Sequence, residues 1–267
     1  MKPLAVCAIF RDEARYLREW IEFHRLVGAE KFYLYQNRSV DNWHEVLEPY
    51  MAEGIVDVID WPYRMDGCYA ATAQVAAYKH CCDRLRGSYQ WIAFIDVDEF
   101  LFSPLFNTVT EALDTLPPTW GAVAVSWVLF GSSGRLLWED APVIERFTWR
   151  PHENTPWCRW IKNIVNAEDP GLTIDTPGGH LFQTAWGTYN ELGQRVEHQQ
   201  MDPVHDLLRI NHYFTKSNEE FDQRHPKSDS DDRFICVEDR WSTVQAREVD
   251  DRSIQRYLPE LRRRLGI

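Results

Sequence analysis

The chain has 267 residues, of which 44% are hydrophobic and 26% charged, so it can bury a sizeable core and has an ordinary globular composition. Its formal net charge of -12 opposes nucleic-acid phosphates and anionic membrane surfaces, which excludes both as bulk partners. The cysteines at 7, 68, 81, 82, 158 and 236 include no CxxC pair, which argues against a zinc cage or disulfide framework and for reduced thiols.

Leu4 to Phe10 is a continuous apolar run of strand length, too short for a signal-peptide core or a membrane span. With the reduced cysteines, it leads to the expectation of a cytoplasmic chain with no transmembrane segment. A helix is expected from about Asp12, its cap, with Leu17, Trp20, Ile21, His24 and Val27 on one face and Gly28 as the stop. Phe32 to Tyr35 reads as a second strand, then Asp41 as the cap of a short helix ended by Gly54. Ile55 to Ile59, a helix over Ala70 to Leu85, and Trp91 to Ile95 follow. Strands alternating with helices predict βαβ units and a parallel sheet, in which ligands bind beyond the carboxyl ends of the strands. That rule selects Arg11-Asp12, Gln36-Asn37, Asp60-Trp61 and Asp96-Val97-Asp98.

The second half is less regular. Ala122 to Phe130 and Val143 to Trp149 read as strands, Pro151 to Gly179 as loop, Leu207 to Phe214 as a further strand, and Asp229 to Asp232 as an exposed loop. An amphipathic helix is expected in the tail from Asp250, its basic end Arg262-Arg263-Arg264 complementing the helix dipole. No internal repeat divides the chain.

In WIAFIDVDEF, Asp96 and Asp98 stand where an apolar strand runs out, on the same side because side chains alternate along a strand. Two such carboxylates need a cation, and a hard divalent ion, Mn²⁺ or Mg²⁺, meets that need by taking carboxylate and diphosphate oxygens together. The plainer role is a pair of turn caps. Glu99 could pair with a cation or join the metal shell. Arg11 has no easy local partner, whereas Asp12 and Asp41 are most simply caps.

The blocks AVCAIFRDEARYLREWIEFHRLVGAEKFYLYQNRSVDN, QVAAYKHCCDRLRGSYQWIAFIDVDEF and RINHYFTKSNEEF resemble, in this order, the bacterial members of glycosyltransferase family 92 and the family-2-like glycosyltransferases. The resemblance implies a GT-A fold, an α/β domain over 1-267 with a mostly parallel central sheet flanked by helices and an irregular C-terminal half. It also implies inverting transfer from a nucleotide sugar, a UDP-sugar, to a saccharide or glycolipid hydroxyl, with residues 1-103 binding the nucleotide and 104-267 the acceptor. Carried over, Arg11 and Asn37 lie against the nucleotide, Asp96 contacts ribose or metal, and Asp98 and His212 bind the metal. Lys216 and Ser217 lie near the diphosphate, although His212 also reads as a structural histidine and Lys216 as a solvated lysine. After Lys162-Asn163-Ile164-Val165 this chain has Asn166-Ala167 where the family carries a basic residue and Pro, so Lys162 receives no acceptor role. A carboxylate base is expected, Glu145, with Asp140 nearby and His180 as rival; Trp127 is read as core.

Two other classes compete. An apolar strand ending in Asp-x-Asp also marks haloacid dehalogenase-type phosphatases, with Asp96 as nucleophile and Asp98 as acid. Against that, Glu99-Phe100 follow the motif and βα units precede it. A non-catalytic nucleotide-sugar-binding protein would keep the same residues. A dinucleotide oxidoreductase is excluded by FRDEAR, which lacks the glycines a pyrophosphate turn needs.

Overall fold

The computed structural model describes residues 4-63, 69-174, 179-224 and 241-267. Strand β1 (Leu4–Phe10) is buried along its whole length, which is why its sequence is apolar without alternation. Helix α1 (Ala14–Leu26) and β2 (Ala29–Gln36) follow, joined through Gly28 at φ +103, where a β-carbon would meet Thr110 Oγ1 at 2.8 Å. Next come α2 (Trp43–Ala52), β3 (Val56–Asp60), α3 (Tyr69–Leu85) and β4 (Trp91–Phe94). Strands β3, β2, β1 and β4 lie side by side and parallel.

The sheet continues from β4 through β8 (Ile161–Asn166), β6 (Ala122–Leu129) and β10 (Arg209–His212) to β5 (Glu99–Phe102) at the far edge. Strand β9 (Thr188–Tyr189) pairs alongside β6. Among the described residues, β8 and β5 run against the other strands, so the sheet is mostly parallel. One face packs Trp20, Phe23 and Phe32 against Phe100 and Tyr213, under α1, α2 and the C-terminal helix Leu258–Leu265. The other packs Tyr78, Cys81 and Cys82 of α3 against Phe94 and Phe182. This is the α/β architecture, a mostly parallel central sheet flanked by helices, that the resemblance implies. The described cysteines, Cys7, Cys81, Cys82 and Cys158, are free and buried. Cys68, Cys236 and Asp229 to Asp232 lie outside the described residues. No described helix is long and apolar enough to cross a membrane.

Several local expectations are corrected. Val143 to Trp149 is not one strand: α4 (Val109–Leu113) precedes it, Val143–Arg146 is helix α5, and only Trp149–Arg150 is strand (β7, paired with β11, Val249–Asp250). The buried Glu19 carboxylate of α1 accepts from Val143 N (2.8 Å) and Ile144 N (3.3 Å), satisfying the first turn of α5 from outside. The loop expected over Pro151 to Gly179 contains β8, whose polar side chains are all buried against distant partners. Both expected caps are corrected as well. Asp12, at φ +56, accepts from Val40 N at 2.7 Å, while Asp41 caps α1, accepting from Ala14 N at 2.7 Å. Asn42, just before helix α2, makes no side-chain cap.

Helix α6 (Asn218–Arg224) is tied to this core by a buried pair. Arg146 donates from both terminal nitrogens to Glu220, at 2.8 and 3.0 Å. Burial alone would raise Glu220, but hydrogen bonds from Arg146 and Ser217 and the Arg146 charge outweigh it and hold the carboxyl down to about 2. With the folded value below the ordinary 4.5, its contribution is complete above that pH and is lost as pH falls toward 2. Glu220→Gln, which strands a buried guanidinium, is expected to lose about 3 kcal/mol at neutral pH and to flatten this acid limb. Urea melts of both proteins across that pH range measure it.

Candidate functional site

At the carboxyl end of β4 the chain places Asp96, Asp98 and Glu99 within four residues. Lys162, from β8 beside β4, points its ammonium beneath them. Its side chain is 1% exposed, with Nζ 2.7 Å from Asp96 Oδ2 and 3.7 Å from Glu99 Oε1. Gln74 and Tyr78 of α3 donate to the other Asp96 oxygen at 3.0 and 3.3 Å. Burial would raise Asp96; the Lys162 charge overcomes this and keeps it ionised. Glu99 is fully buried, and burial pushes its carboxyl well above the ordinary range despite Lys162, with Asp96 and Asp98 adding to the rise. Lys162 therefore pairs most closely with Asp96, while Glu99, its carboxyl raised by burial, accepts from Asp96 N at 2.8 Å.

Asp98 is answered from the second half of the chain. His212, at the end of β10, brings Nε2 to 3.5 Å from Asp98 Oδ1. Arg224, the last residue of α6, donates to Asp98 Oδ2 at 2.5 Å, and its other terminal nitrogen lies 3.2 Å from Glu13. Arg224 and His212 hold Asp98 well below the usual carboxylate range against its burial. Trp127 stands edge-on to His212, ring centroids 4.5 Å apart.

Beside Asp98 opens a cleft of about 800 Å³, lined by the start of α1, the start of α2, the loop after β10 and α6. Arg11 and Lys216, both expected at the donor, line it together with Arg224 and Glu13. Lys216 is buried, sits 4.2 Å from the Tyr16 ring centroid and has φ +52. Burial pushes its ammonium below the usual lysine range, opposed by Glu13. Asp12 also lines the cleft with positive φ. Left-handed backbone at non-glycine residues costs on the order of 1–3 kcal/mol and concentrates at functional sites.

The other expected residues are placed elsewhere. Asn37 is fully buried and donates to Trp61 O (2.6 Å) and Tyr63 O (2.7 Å), joining the ends of β2 and β3. Ser217 and Glu220 cap α6 reciprocally, Ser217 Oγ donating to Glu220 at 2.6 Å and accepting from its N–H at 3.3 Å. Glu145 is not brought to the cluster. It accepts from Arg262 of the C-terminal helix at 2.6 to 3.1 Å and does not line the cleft. His180 Nδ1 lies 2.9 Å from Ile161 O, and burial with the Lys162 charge lowers it to about 3, a weak base at neutral pH.

The donor set bears on the expected divalent ion. Two ligands on one octahedral ion with bonds of ~2.1 Å sit ~3 Å apart, and Asp98 Oδ1 and His212 Nε2 are near that separation at 3.5 Å. Among the described residues no three His, Cys, Asp or Glu are grouped to hold a metal. Two protein donors completed by phosphate oxygens and water are enough for a Mg²⁺-type ion.

Sequence reasoning missed Lys162, Arg224 and Glu13 as members of the cluster. A lysine inside an apolar strand was the available signal, since buried lysines are rare without a partner. Nothing local marks Arg224.

The sequence model of glycosyltransferase family 92 matches residues 2–221, and the chain belongs to that family. A glycosyltransferase family 92 protein of Oryza sativa subsp. japonica is 35% identical over 217 residues, which is 79% of this chain and 33% of that protein. A galactan beta-1,4-galactosyltransferase of Arabidopsis thaliana is 33% identical over 105 residues, 38% of this chain and 20% of that protein. The chain thus spans a third or less of these relatives' length. Among solved structures, S. aureus TarS 1-349 in complex with UDP aligns with a TM-score of 0.40 and 11% identity, covering 62% of this chain and 47% of that one. Family membership removes the ground for the phosphatase reading of Asp96 and Asp98.

Lys162→Met is expected to lose on the order of 3 kcal/mol, because it strands the Asp96 charge. Glu99→Gln replaces a carboxyl whose charge burial disfavours with its uncharged isostere and is expected to stay within about 1 kcal/mol of the parent. Since the Glu99 folded value lies above 4.5, the parent loses stability as pH rises from there, and the Gln variant should lack that slope. Denaturant titrations at several pH values resolve both.

Proposed function

We propose that the protein is a glycosyltransferase that moves a sugar, with inversion, from a UDP-sugar to a hydroxyl of a saccharide or glycolipid, using Mn²⁺ or Mg²⁺. The observation that carries this is the meeting of Asp98, just after β4, with His212, at the end of β10, beside a cleft lined by Arg11, Lys216 and Arg224. Family membership supports the reaction class.

Asp98 and His212 hold the ion. When bound, it takes up the negative charge that develops on the departing diphosphate. Asp96, fixed by Gln74, Tyr78 and Lys162 yet with its side chain 30% exposed, presents its carboxylate to the ribose or the ion. The buried Lys216 and the exposed Arg11, which lies 3.7 Å from Asp12, supply positive charge to the diphosphate from the cleft wall, and burial strengthens the attraction at Lys216. Ser217 sets the position of Lys216 by capping α6, and Asn37 ties the loops that form the nucleotide's floor. Within one domain, residues 1-103 supply most of the nucleotide side, His212, Lys216 and Ser217 join it from residues 104-267, and the remainder of 104-267 is assigned to the acceptor. Glu145, engaged by Arg262, stands apart from this chemistry. The free buried cysteines support a reducing, cytoplasmic setting.

The first test is thermal stability with UDP, with and without Mn²⁺. At a hundredfold over its Kd a native-state ligand adds about 2.7 kcal/mol. A shift that needs both UDP and Mn²⁺ and disappears in Asp98→Asn is expected; no shift in the parent chain defeats the proposal. UDP-galactose is the first donor to assay, given the galactosyltransferase among the relatives.

A further inference from the structure

The two cations that answer the aspartate pair are not equivalent. Lys162 comes from the middle of the sheet with its side chain 1% exposed, so it has nowhere else to go. Arg224 ends a short helix, and its side chain is 39% exposed. It meets Asp98 through one terminal nitrogen and Glu13 through the other, 3.2 Å away. The Asp98 side chain is 4% exposed, and a carboxylate so buried needs a cation at all times. Its other oxygen is the one that faces His212.

We infer that Arg224 is the exchangeable counter-ion of Asp98, so that its guanidinium and a divalent cation compete for the same carboxylate. This rests on Asp98 being a metal ligand. A dication on Asp98 would stand within a few ångströms of the guanidinium, and their repulsion is strong in a site poor in water. Arg224 then gives up its Asp98 contact and keeps its Glu13 contact. Tethered there, it faces the cleft that it already lines, where an anionic diphosphate would meet it. Ion binding and anion binding are thereby coupled: the ion releases Arg224, and an anion that receives Arg224 favours the ion. Glu13 is the pivot, buried and within reach of both Arg224 and the cleft.

The experiment is a Mn²⁺ titration of the whole chain without nucleotide, reading free Mn²⁺ by electron paramagnetic resonance. Arg224→Gln is expected to bind Mn²⁺ about tenfold more tightly than the parent, since the competing charge is gone. Arg224→Lys, which keeps the charge, should stay with the parent, and Asp98→Asn should not bind. Adding UDP should tighten Mn²⁺ binding in the parent and much less in Arg224→Gln. Equal or weaker binding by Arg224→Gln, with Asp98→Asn still silent, overturns the competition but leaves the metal site standing. Tightening in Arg224→Lys equal to that in Arg224→Gln also overturns it. If neither the parent nor Arg224→Gln binds Mn²⁺, this inference and the metal site fall together.

Discussion

Three carboxyl groups in four residues, at the end of a buried strand, demand cations, and the Lys162 ammonium is the one placed beneath them. Its 2.7 Å contact with Asp96 lets that carboxylate stay ionised while burial raises the Glu99 carboxyl. Lys162 reaches this point from a strand inserted between β4 and β6. The antiparallel strand β8 is that insertion, and so the sheet order and the electrostatics of the site are one fact.

The same logic extends outward through helix α1, which carries buried carboxylates where a helix of this kind would normally bury only apolar groups. Glu13 meets Arg224, and Glu19 satisfies the start of α5, its own value raised to about 7 by burial against the two amide hydrogen bonds. Tyr16 donates to Glu220 at 2.9 Å, joining α1 to the Arg146 pair and to the cap of α6. These contacts bring the loop after β10, with Lys216 in a left-handed conformation, against the start of α1, with Asp12 in another. The cleft is the space these constrained segments leave between them, and its cations are held in place by the groups that build the fold.

How legible this was depended on the distance over which each group finds its partner. The βαβ series was readable because buried parallel strands are continuous apolar runs and their helices end at glycines such as Gly28 and Gly54. Asp96, Asp98 and Arg11 were visible as polar residues placed where apolar strands run out, whereas His212 and Lys216 were singled out only through the family resemblance. Strand β8 was not, because Lys162, Asn163 and Asn166 interrupt its apolar pattern and the partners that make them buriable lie elsewhere: Asp96, His180 O, and the carbonyls of Pro118 and Trp120. Helix α5 was read as strand because its first-turn partner, Glu19, is 124 residues away from Val143.

The sequence by itself determined the parallel half of the sheet, the end of it at which chemistry can occur, and the aspartates that stand there. Those follow from periodicity and from the rule that polar residues after a buried strand emerge at its carboxyl end. Only the tertiary structure decided which cation answers which carboxylate. Lys162 and Asp96 are 66 positions apart, and Arg224 and Asp98 are 126 apart. Charge pairing acts through space across a few ångströms, and no local pattern along the chain records it.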